Sequence, residues 1–417
     1  MERYEKYKDS GVEWIGEIPE GWEVKKLKYI TDAHPSNIDK KSKDDEESVY
    51  LCNYVDVYNN EYISSDLSFM KATANQDQIQ KFRLEKGDVI ATKDSETPDD
   101  IANPALVVEK LDNVVCGYHL THIKPKAIDG RYLFRFFQTN YLNSYFEVSA
   151  NGVTRYGLGV DKFNSALILN PSLEAQTAIA NYLDRKTAEI DKLIAQKERL
   201  IELYEEEKTA IINQAVTKGI DPDVRLKDSG IDWLGEIPEG WEVKKLKYLA
   251  DLKSGNNLTS IQIKDSGEYP VYGGNGLRGY YIDYTHEGEF VLIGRQGALC
   301  GNINYASGKF WATDHAVVIR QVFKYERVWL GELLRTMNLN QYSVAAAQPG
   351  LAVETIKNLT VPYPKLKIQA AIVQHIETEI ARINAKIAKT KRIIELHKEY
   401  RTALISEVVT GKIKVVT

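Results

Sequence analysis

The chain has 417 residues, of which 43% are hydrophobic and 27% charged, and its formal net charge is −5. This length suits two or three domains, and this composition excludes collagen, low-complexity disorder and a coiled coil throughout. No apolar run is long enough for a membrane helix, the N-terminal residues do not resemble a signal peptide, and three scattered cysteines argue against a disulfide framework. The sequence therefore predicts a cytoplasmic protein. A net charge this close to neutral neither indicates nor excludes nucleic-acid binding, which depends on local patches.

A segment of 23 residues occurs twice in the chain. Residues 8–30 read KDSGVEWIGEIPEGWEVKKLKYI and residues 227–249 read KDSGIDWLGEIPEGWEVKKLKYL, so that 19 of the 23 positions are identical. The four differences all exchange similar side chains. Repetition at this level indicates two structural units built on one pattern.

A second repeat consists of residues 171–220 and 364–413, with 20 of 50 positions identical. In both copies apolar residues follow an alternating spacing of three and four positions, which predicts one long helix in each copy. A helix with a single apolar stripe needs a partner, and a short link at 221–226 favours an antiparallel coiled coil between the two copies. The predicted pairing residues are Leu183, Ile190, Ile194, Ile201, Ile383, Ile387 and Ile394.

Local signals predict where these helices begin and end. Asn170 is the predicted N-cap of the first helix and Pro171 its first-turn proline. Gly219 and Gly411 are expected to stop the two helices.

Between the repeats lie residues 31–170 and 250–363, which show no comparable similarity to each other. Both contain short β-type runs separated by glycine turns, with helical patterns between the strands and the next repeat. The predicted fold class is therefore α+β: two globular domains separated by two long helices in a pseudo-two-fold arrangement. The predicted domains are 1–170, 171–220, 221–363 and 364–417.

The motifs that accompany catalysis are weak or missing. Residues Gly274–Gly279 match the dinucleotide pattern G-x-G-x-x-G, but the strand-like Tyr280 and Tyr281 follow where a helix should open, so we predict a glycine-rich loop. The cysteines and histidines lack the spacing of a zinc site. We expect a chain with no catalytic residues and no metal.

Binding is a better interpretation of the globular segments. Arginine and glutamine can read base edges, and lysine and arginine contact phosphates. Neighbouring glycines let the backbone come close to a groove, which favours Arg295 over an arginine on a long helix such as Arg199. The alternative role for any one of these arginines is to form a salt bridge on the protein surface without contacting DNA. The candidate DNA-binding residues are Lys93, Arg155, Tyr156, Arg278, Arg295, Lys309 and His315.

The alternation of constant and variable pieces resembles the specificity subunit of Type I restriction–modification enzymes over nearly the whole chain. The segments that carry this resemblance are Ser10–Trp22 with its second copy, Ile293–Asn302, Phe310–His315, Gln348–Asn358 and, less closely, Lys86–Asp94. The resemblance implies that 31–170 and 250–363 are target-recognition domains, each reading one half of a split asymmetric DNA target. The two helices would then set the spacing and dock methyltransferase subunits.

The resemblance also implies the partners of the chain. They are double-stranded DNA, two copies of a methyltransferase subunit, and restriction or motor subunits. Binding to a membrane is not expected. S-adenosylmethionine, ATP and Mg²⁺ would belong to those subunits, and the chain itself would bind no cofactor. Two alternatives remain open: a coiled-coil scaffold whose globular domains bind proteins and have no DNA specificity, and a free-standing enzyme.

Overall fold

A computed structural model describes residues 2–297, 299–343 and 350–415. The chain divides into two compact units: unit 1 contains residues 1–197 and 392–417, and unit 2 contains residues 198–391. Both boundaries fall inside long helices, so each unit combines one globular region with a portion of each helix. Among the described residues, no helix is long and apolar enough to span a bilayer.

The globular region of unit 1 precedes the first long helix. In chain order its elements are β1 (Tyr7–Asp9), β2 (Glu17–Pro19), β3 (Glu23–Lys26), β4 (Thr31–Pro35), β5 (Glu47–Cys52), α1 (Tyr54–Tyr58), β6 (Tyr62–Ile63), β7 (Met70–Ala74), α2 (Gln76–Phe82), β8 (Val89–Thr92), β9 (Asp94–Ser95), β10 (Pro104–Val107), β11 (Val114–Cys116), β12 (Leu120–Pro125), α3 (Gly130–Phe137), α4 (Asn140–Ser149), β13 (Asn151–Gly152), β14 (Tyr156–Gly157), α5 (Val160–Ser165) and β15 (Leu167–Asn170).

The first long helix, α6, spans Leu173–Lys218. The elements that follow it are β16 (Leu226–Asp228), β17 (Glu236–Pro238), β18 (Glu242–Lys245), β19 (Ala250–Ser254), β20 (Tyr269–Gly273), β21 (Gly276–Tyr281), β22 (His286–Gly294), β23 (Ile303–Ala312), β24 (Ala316–Gln321), α7 (Arg327–Thr336), α8 (Val353–Asn358), β25 (Thr360–Tyr363) and the second long helix α9 (Leu366–Val409). In the segment Gly274–Gly279, Gly274 and Asn275 form the turn between β20 and β21, and the last four residues belong to β21. The prediction that no helix opens here is correct, but the loop is shorter than expected.

Both globular regions are built around the same five-stranded sheet, although their sequences differ. The strand order is β4-β12-β8-β10-β6 in unit 1 and β19-β24-β22-β23-β20 in unit 2, where β21 adds one more strand at the edge. The first three pairings are antiparallel and the last is parallel in both sheets. The central strand of unit 1, β8, is buried throughout, and in the central strand of unit 2, β22, the last four residues (Val291–Gly294) are buried.

The repeated 23-residue pieces hold these regions together at their ends. In each piece one strand forms a hairpin with a neighbour (β1–β2 and β16–β17), and the next strand pairs with the strand that leads into a long helix (β3–β15 and β18–β25). In unit 1 the piece also packs on the end of α9. Gly411 has φ +73°, and a Cβ atom there would lie 2.5 Å from Pro19 and 3.2 Å from Trp22, so the contact requires glycine.

The predicted antiparallel pairing of the long helices is confirmed in both units. In unit 2, Arg382 Nη2 lies 2.8 Å from Glu207 Oε1, and Lys386 Nζ lies 5.2 Å from the ring centroid of Tyr204. The residue numbers on α9 therefore fall as those on α6 rise. In unit 1, Arg401 Nε lies 2.9 Å from Asp191 Oδ1.

The predicted seam residues face the interior of the pair. Five are buried and two are half-buried; the buried ones are Leu183, Ile190, Ile383, Ile387 and Ile394, and the half-buried ones are Ile194 and Ile201. This apolar stripe agrees with the heptad interpretation. The fold class is accordingly α+β, with two globular regions and two long paired helices.

The predicted start of the first helix is wrong by two or three residues. Asn170 is the last residue of β15, where it pairs with Glu23, and the helix begins at Leu173. Ser172 caps the helix instead, since its Oγ accepts a hydrogen bond from the Ala175 N–H. The predicted ends are confirmed: Gly219 has φ +81° directly after Lys218, and Gly411 follows the end of α9.

Candidate nucleic-acid interface

The candidate residues of unit 1 gather where the central strand β8 ends. Lys93 follows this strand, and its N–H donates a 3.0 Å hydrogen bond to the carbonyl of His119. The Lys93 carbonyl in turn accepts a 2.8 Å hydrogen bond from the Leu158 N–H. Lys93 is thereby fixed between the start of β12 and the segment that follows β14.

Unit 2 repeats this backbone arrangement with different residues. Arg295 follows the central strand β22, and its N–H donates to the carbonyl of His315 at 2.8 Å. The Arg295 carbonyl accepts from the Leu351 N–H at 2.9 Å. Lys93 and Arg295 therefore occupy equivalent positions, as do His119 and His315.

The side chains of unit 1 form a mixed aromatic and charged cluster. Lys93 Nζ lies 4.6 Å from the ring centroid of Tyr118, the imidazole of His119 contacts the Asp94 carboxylate, and Arg155 Nη2 lies 3.3 Å from His119 Nδ1. His119 has φ +71°, an unusual conformation for a residue with a side chain, and such backbone strain often occurs at functional sites.

A cleft of about 750 Å³ opens beside this cluster. It is lined by Tyr54, Tyr58, Asp94, Ser95, Glu96, Thr97, Asp100, Thr154 and Arg155. Tyr156 lies on β14 and pairs with Ser95 across the same small sheet. The structure thus brings Lys93, Arg155 and Tyr156 together, as a common DNA-binding role requires.

Three of the four candidates in unit 2 also lie together. Arg295 Nη1 donates a 3.2 Å hydrogen bond to Ser254 Oγ. Beside it, Arg278, Gln296 and His315 help to line a cleft of about 410 Å³. The side chains of arginine, glutamine and histidine can donate hydrogen bonds to acceptor atoms on base edges and phosphates.

Lys309 lies apart from this cluster. It is on β23 opposite Glu287, near the start of β22, whereas Arg295 follows the end of β22. Its Nζ lies 4.6 Å from the ring centroid of Tyr284, and a hydrogen bond with Tyr284 raises the pKa of the Lys309 ammonium. In unit 2 the candidates therefore occupy two places.

The candidate list drawn from the sequence does not include His119, Asp94 or Gln296, and one sequence signal could have led to Asp94 and Gln296. Gly157 and Leu158 recur as Gly350 and Leu351 with the same offset as the long helices, so the second repeat begins well before Pro171. These residues carry the segment that holds Lys93 and Arg295. Ala298, Gln348 and Pro349 of the motifs named above lie outside the described residues.

The three cysteines do not have the character of activated nucleophiles. Cys52, Cys116 and Cys300 are buried free cysteines, and burial raises the pKa of each thiol, so the nucleophilic thiolate is disfavoured. Within the described ranges, no group of three or more His, Cys, Asp or Glu residues could hold a metal ion.

Comparisons with known proteins agree on one family. The model of the type I restriction modification DNA specificity domain matches residues 19–203 and 238–396, which is most of the chain. The EcoprrI specificity subunit of a type I restriction enzyme from Escherichia coli is 38% identical over 167 residues, covering 37% of this chain and 42% of that relative. The match thus spans less than half the length of the E. coli protein.

Other relatives align over almost their full length. The putative MjaX specificity subunit of a type I restriction enzyme from Methanocaldococcus jannaschii is 24% identical, covering 97% of this chain and 96% of its own. Among solved structures, a chain from a study of complex assembly and conformational transition of the type I R-M system matches with a TM-score of 0.65 and 17% identity. That match covers 95% of this chain and 99% of the other, and it shows a common fold.

Proposed function

This chain belongs to the type I restriction–modification DNA specificity family, and from that premise we propose that it recognises the DNA target of a type I complex. Each globular region reads one half of a split, asymmetric site. One observation carries the proposal: both regions have the same sheet and place a basic residue and a histidine at the same end of its central strand, while the surrounding side chains differ. A shared frame with different surroundings suits two unlike half-sites.

The long helices dock two copies of one methyltransferase subunit. Support comes from residues that are identical in both helices although they are exposed. Packing within this chain does not require these side chains, so their identity is better explained by contact with a partner. Leu203 and Leu396 are 44% and 47% exposed, and each follows an exposed arginine, Arg199 or Arg392, by four positions. An exposed pair of residues that is the same in both copies of the repeat suits a surface that contacts the same partner twice.

The same helices set the separation of the two half-sites. The first has 46 residues, which at ~1.5 Å per residue gives about 70 Å of continuous helix. A paired helix is stiff, so the distance between the half-sites is a property of the protein. An altered helix length should therefore alter the spacing in the target.

Catalysis belongs to the partners. The methyltransferase subunits flip an adenine out of the duplex to reach it, and a motor and nuclease subunit cleaves DNA. S-adenosylmethionine, ATP and Mg²⁺ are bound by those subunits. This chain supplies recognition and assembly.

Sequencing of methylated sites in host DNA tests this function. Cells with the chain should carry one methylated motif made of two short half-sites with a fixed gap, and cells that lack it should lose that motif. If the motif persists without the chain, or if the assembled complex shows no salt-dependent DNA affinity, the chain is a protein-binding scaffold.

A further inference from the structure

The residue that follows the basic position is held in the same way in both globular regions. Asp94 pairs with Gly157 in a small antiparallel sheet, and Gln296 forms an antiparallel bridge with Gly350. These two glycines are equivalent in the extended second repeat. Asp94 and Gln296 therefore stand at one structural position.

Five positions can now be matched between the regions. The histidine, the leucine and the glycine are identical, and the basic position keeps its charge but is lysine in one region and arginine in the other: His119 and His315, Leu158 and Leu351, Gly157 and Gly350, Lys93 and Arg295. The fifth position, Asp94 and Gln296, differs in the kind of hydrogen bond that it can form. Aspartate only accepts hydrogen bonds, whereas glutamine both donates and accepts.

On a split DNA target, residues that are alike in both regions and residues that differ between them suit different contacts. The sugar–phosphate backbone is the same at both half-sites, and basic side chains contact it without reading sequence. The base edges differ between half-sites, so the side chains that read them must differ as well. Among the matched positions, Asp94 and Gln296 exchange an acceptor for a group that also donates, whereas Lys93 and Arg295 both keep the positive charge that suits phosphate.

We propose that Asp94 and Gln296 are equivalent base-reading positions, one for each half-site, and that Lys93 and Arg295 contact phosphate beside them. The inference rests on the proposed function and assigns it to particular side chains. The Asp94 carboxylate accepts from an exocyclic amino group, cytosine N4 or adenine N6. The Gln296 amide pairs with the N6 and N7 edge of adenine.

Local geometry leaves both side chains accessible. Asp94 borders the cleft of unit 1, and its Oδ2 contacts His119. Its Oδ1 lies against Gly157, where a Cβ atom would approach to 3.3 Å, so the glycine keeps room around this oxygen. Gln296 is exposed in the cleft of unit 2, beside Arg278 and His315.

Two isosteric substitutions test the proposal in the complex assembled with its methyltransferase subunits. Asp94→Asn replaces one acceptor with a donor, and Gln296→Glu makes the reverse exchange, with little change of shape. The measurement is affinity for a panel of duplexes in which each base pair of the target is changed in turn. Each variant should lose roughly ten- to hundred-fold of discrimination at one base pair of its own half-site, with the other half-site unchanged.

Variants of the basic residues provide the contrast. Lys93→Ala and Arg295→Ala should weaken binding to every duplex about equally and reduce the slope of affinity against salt by about one. His119→Gln separates reading from positioning. If it reproduces the single-base defect of Asp94→Asn, the carboxylate acts only through the histidine and the proposal for Asp94 is overturned.

Other outcomes are equally decisive. A uniform loss across the panel for Asp94→Asn or Gln296→Glu, unchanged discrimination, or a change in both half-sites overturns the proposal, provided that the melting temperature of the variant is normal. A lowered melting temperature would give these residues a structural role and overturns it too. If the wild-type complex does not discriminate among the duplexes at all, it is the proposed function that fails.

Discussion

The two globular regions each contain a sheet with the same strand order, but different side chains stabilise it in each region. At the sixth residue after the N-cap of the helix that follows the sheet, unit 1 has Arg135 and unit 2 has Glu332. Arg135 is fully buried and donates 3.0 Å hydrogen bonds to Asp184 and Thr187 on α6. Glu332 accepts instead from Tyr305 at 2.9 Å. Opposite charges are tolerated at one place because each has its own partner.

A second contact is the same in both regions. Gln176 is buried at the start of α6, where its Nε2 donates to the Pro171 carbonyl and its Oε1 accepts from the Asp129 N–H. Gln369 makes the equivalent pair of bonds at the start of α9, with Pro364 and Glu326. The glutamine contact at the start of each long helix is thus preserved, whereas the contact of Arg135 with α6 is particular to unit 1. The comparison teaches that the two regions are attached to their helices by one common contact and are otherwise stabilised by different side chains.

Exchange of a whole region should have the largest effect. Residues 31–170 replaced by the equivalent segment of a relative should change one half-site and leave the other intact, because we propose that each region reads one half-site by itself. Specific sites are typically ~10³-fold or more tighter than non-specific DNA, so the new half-site should displace the old one entirely. Sequencing of methylated DNA measures this. A change in both half-sites, or loss of binding by a folded protein, would refute independent reading.

A charged residue in the seam between the two helices should have the second largest effect and should lower the stability of the fold considerably. Ile194→Asp places a carboxylate among apolar side chains of unit 1, and we expect the free energy of unfolding to fall by about 3 kcal/mol. Chemical denaturation of the full chain measures it. Leu193→Asp, at a position 42% exposed on the same helix, is the control and should stay within about 0.5 kcal/mol. An unchanged melting temperature for Ile194→Asp would contradict the pairing.

The two buried glutamines should be equally important. Gln176→Ala and Gln369→Ala each leave a buried N–H and a buried carbonyl without a partner, and each should cost about 1–3 kcal/mol. The exposed Gln374 on α9 offers a neutral control when changed to alanine. Equal losses would support equivalent attachment of the two regions, whereas a loss confined to one variant would break the equivalence.

Lys309→Ala should have the smallest effect. The lysine lies away from the cleft that contains Arg278 and His315, so it can contact phosphate but is poorly placed to read the same bases. Affinity should fall about equally for all sequences, and the salt slope should decrease by about one. Arg278→Ala serves as the comparison within the cleft. A loss confined to one base pair for Lys309→Ala would assign Lys309 to base reading.

Local patterns in the sequence were sufficient for the helices and their pairing. Heptad spacing identified the buried seam, and the positive φ of Gly219 explains why α6 ends beside it. The first helix start was misplaced because Asn170 is committed to a strand by pairing with Glu23, 147 positions earlier in the chain. No local signal at Asn170 reports a partner so distant.

Only the tertiary structure shows that the two dissimilar regions have sheets with the same strand order. It also shows that the same backbone hydrogen bonds hold the candidate site in each region. A sheet requires only that the right positions be apolar, so many different sequences satisfy the same strand order. His119 and Asp94 meet although 25 positions separate them, because β8 ends beside the start of its antiparallel neighbour β12. Sequence by itself determined the repeats, the helices and the candidate basic residues. Which of those residues share a surface was decided by strand pairing, which joins distant segments of the chain.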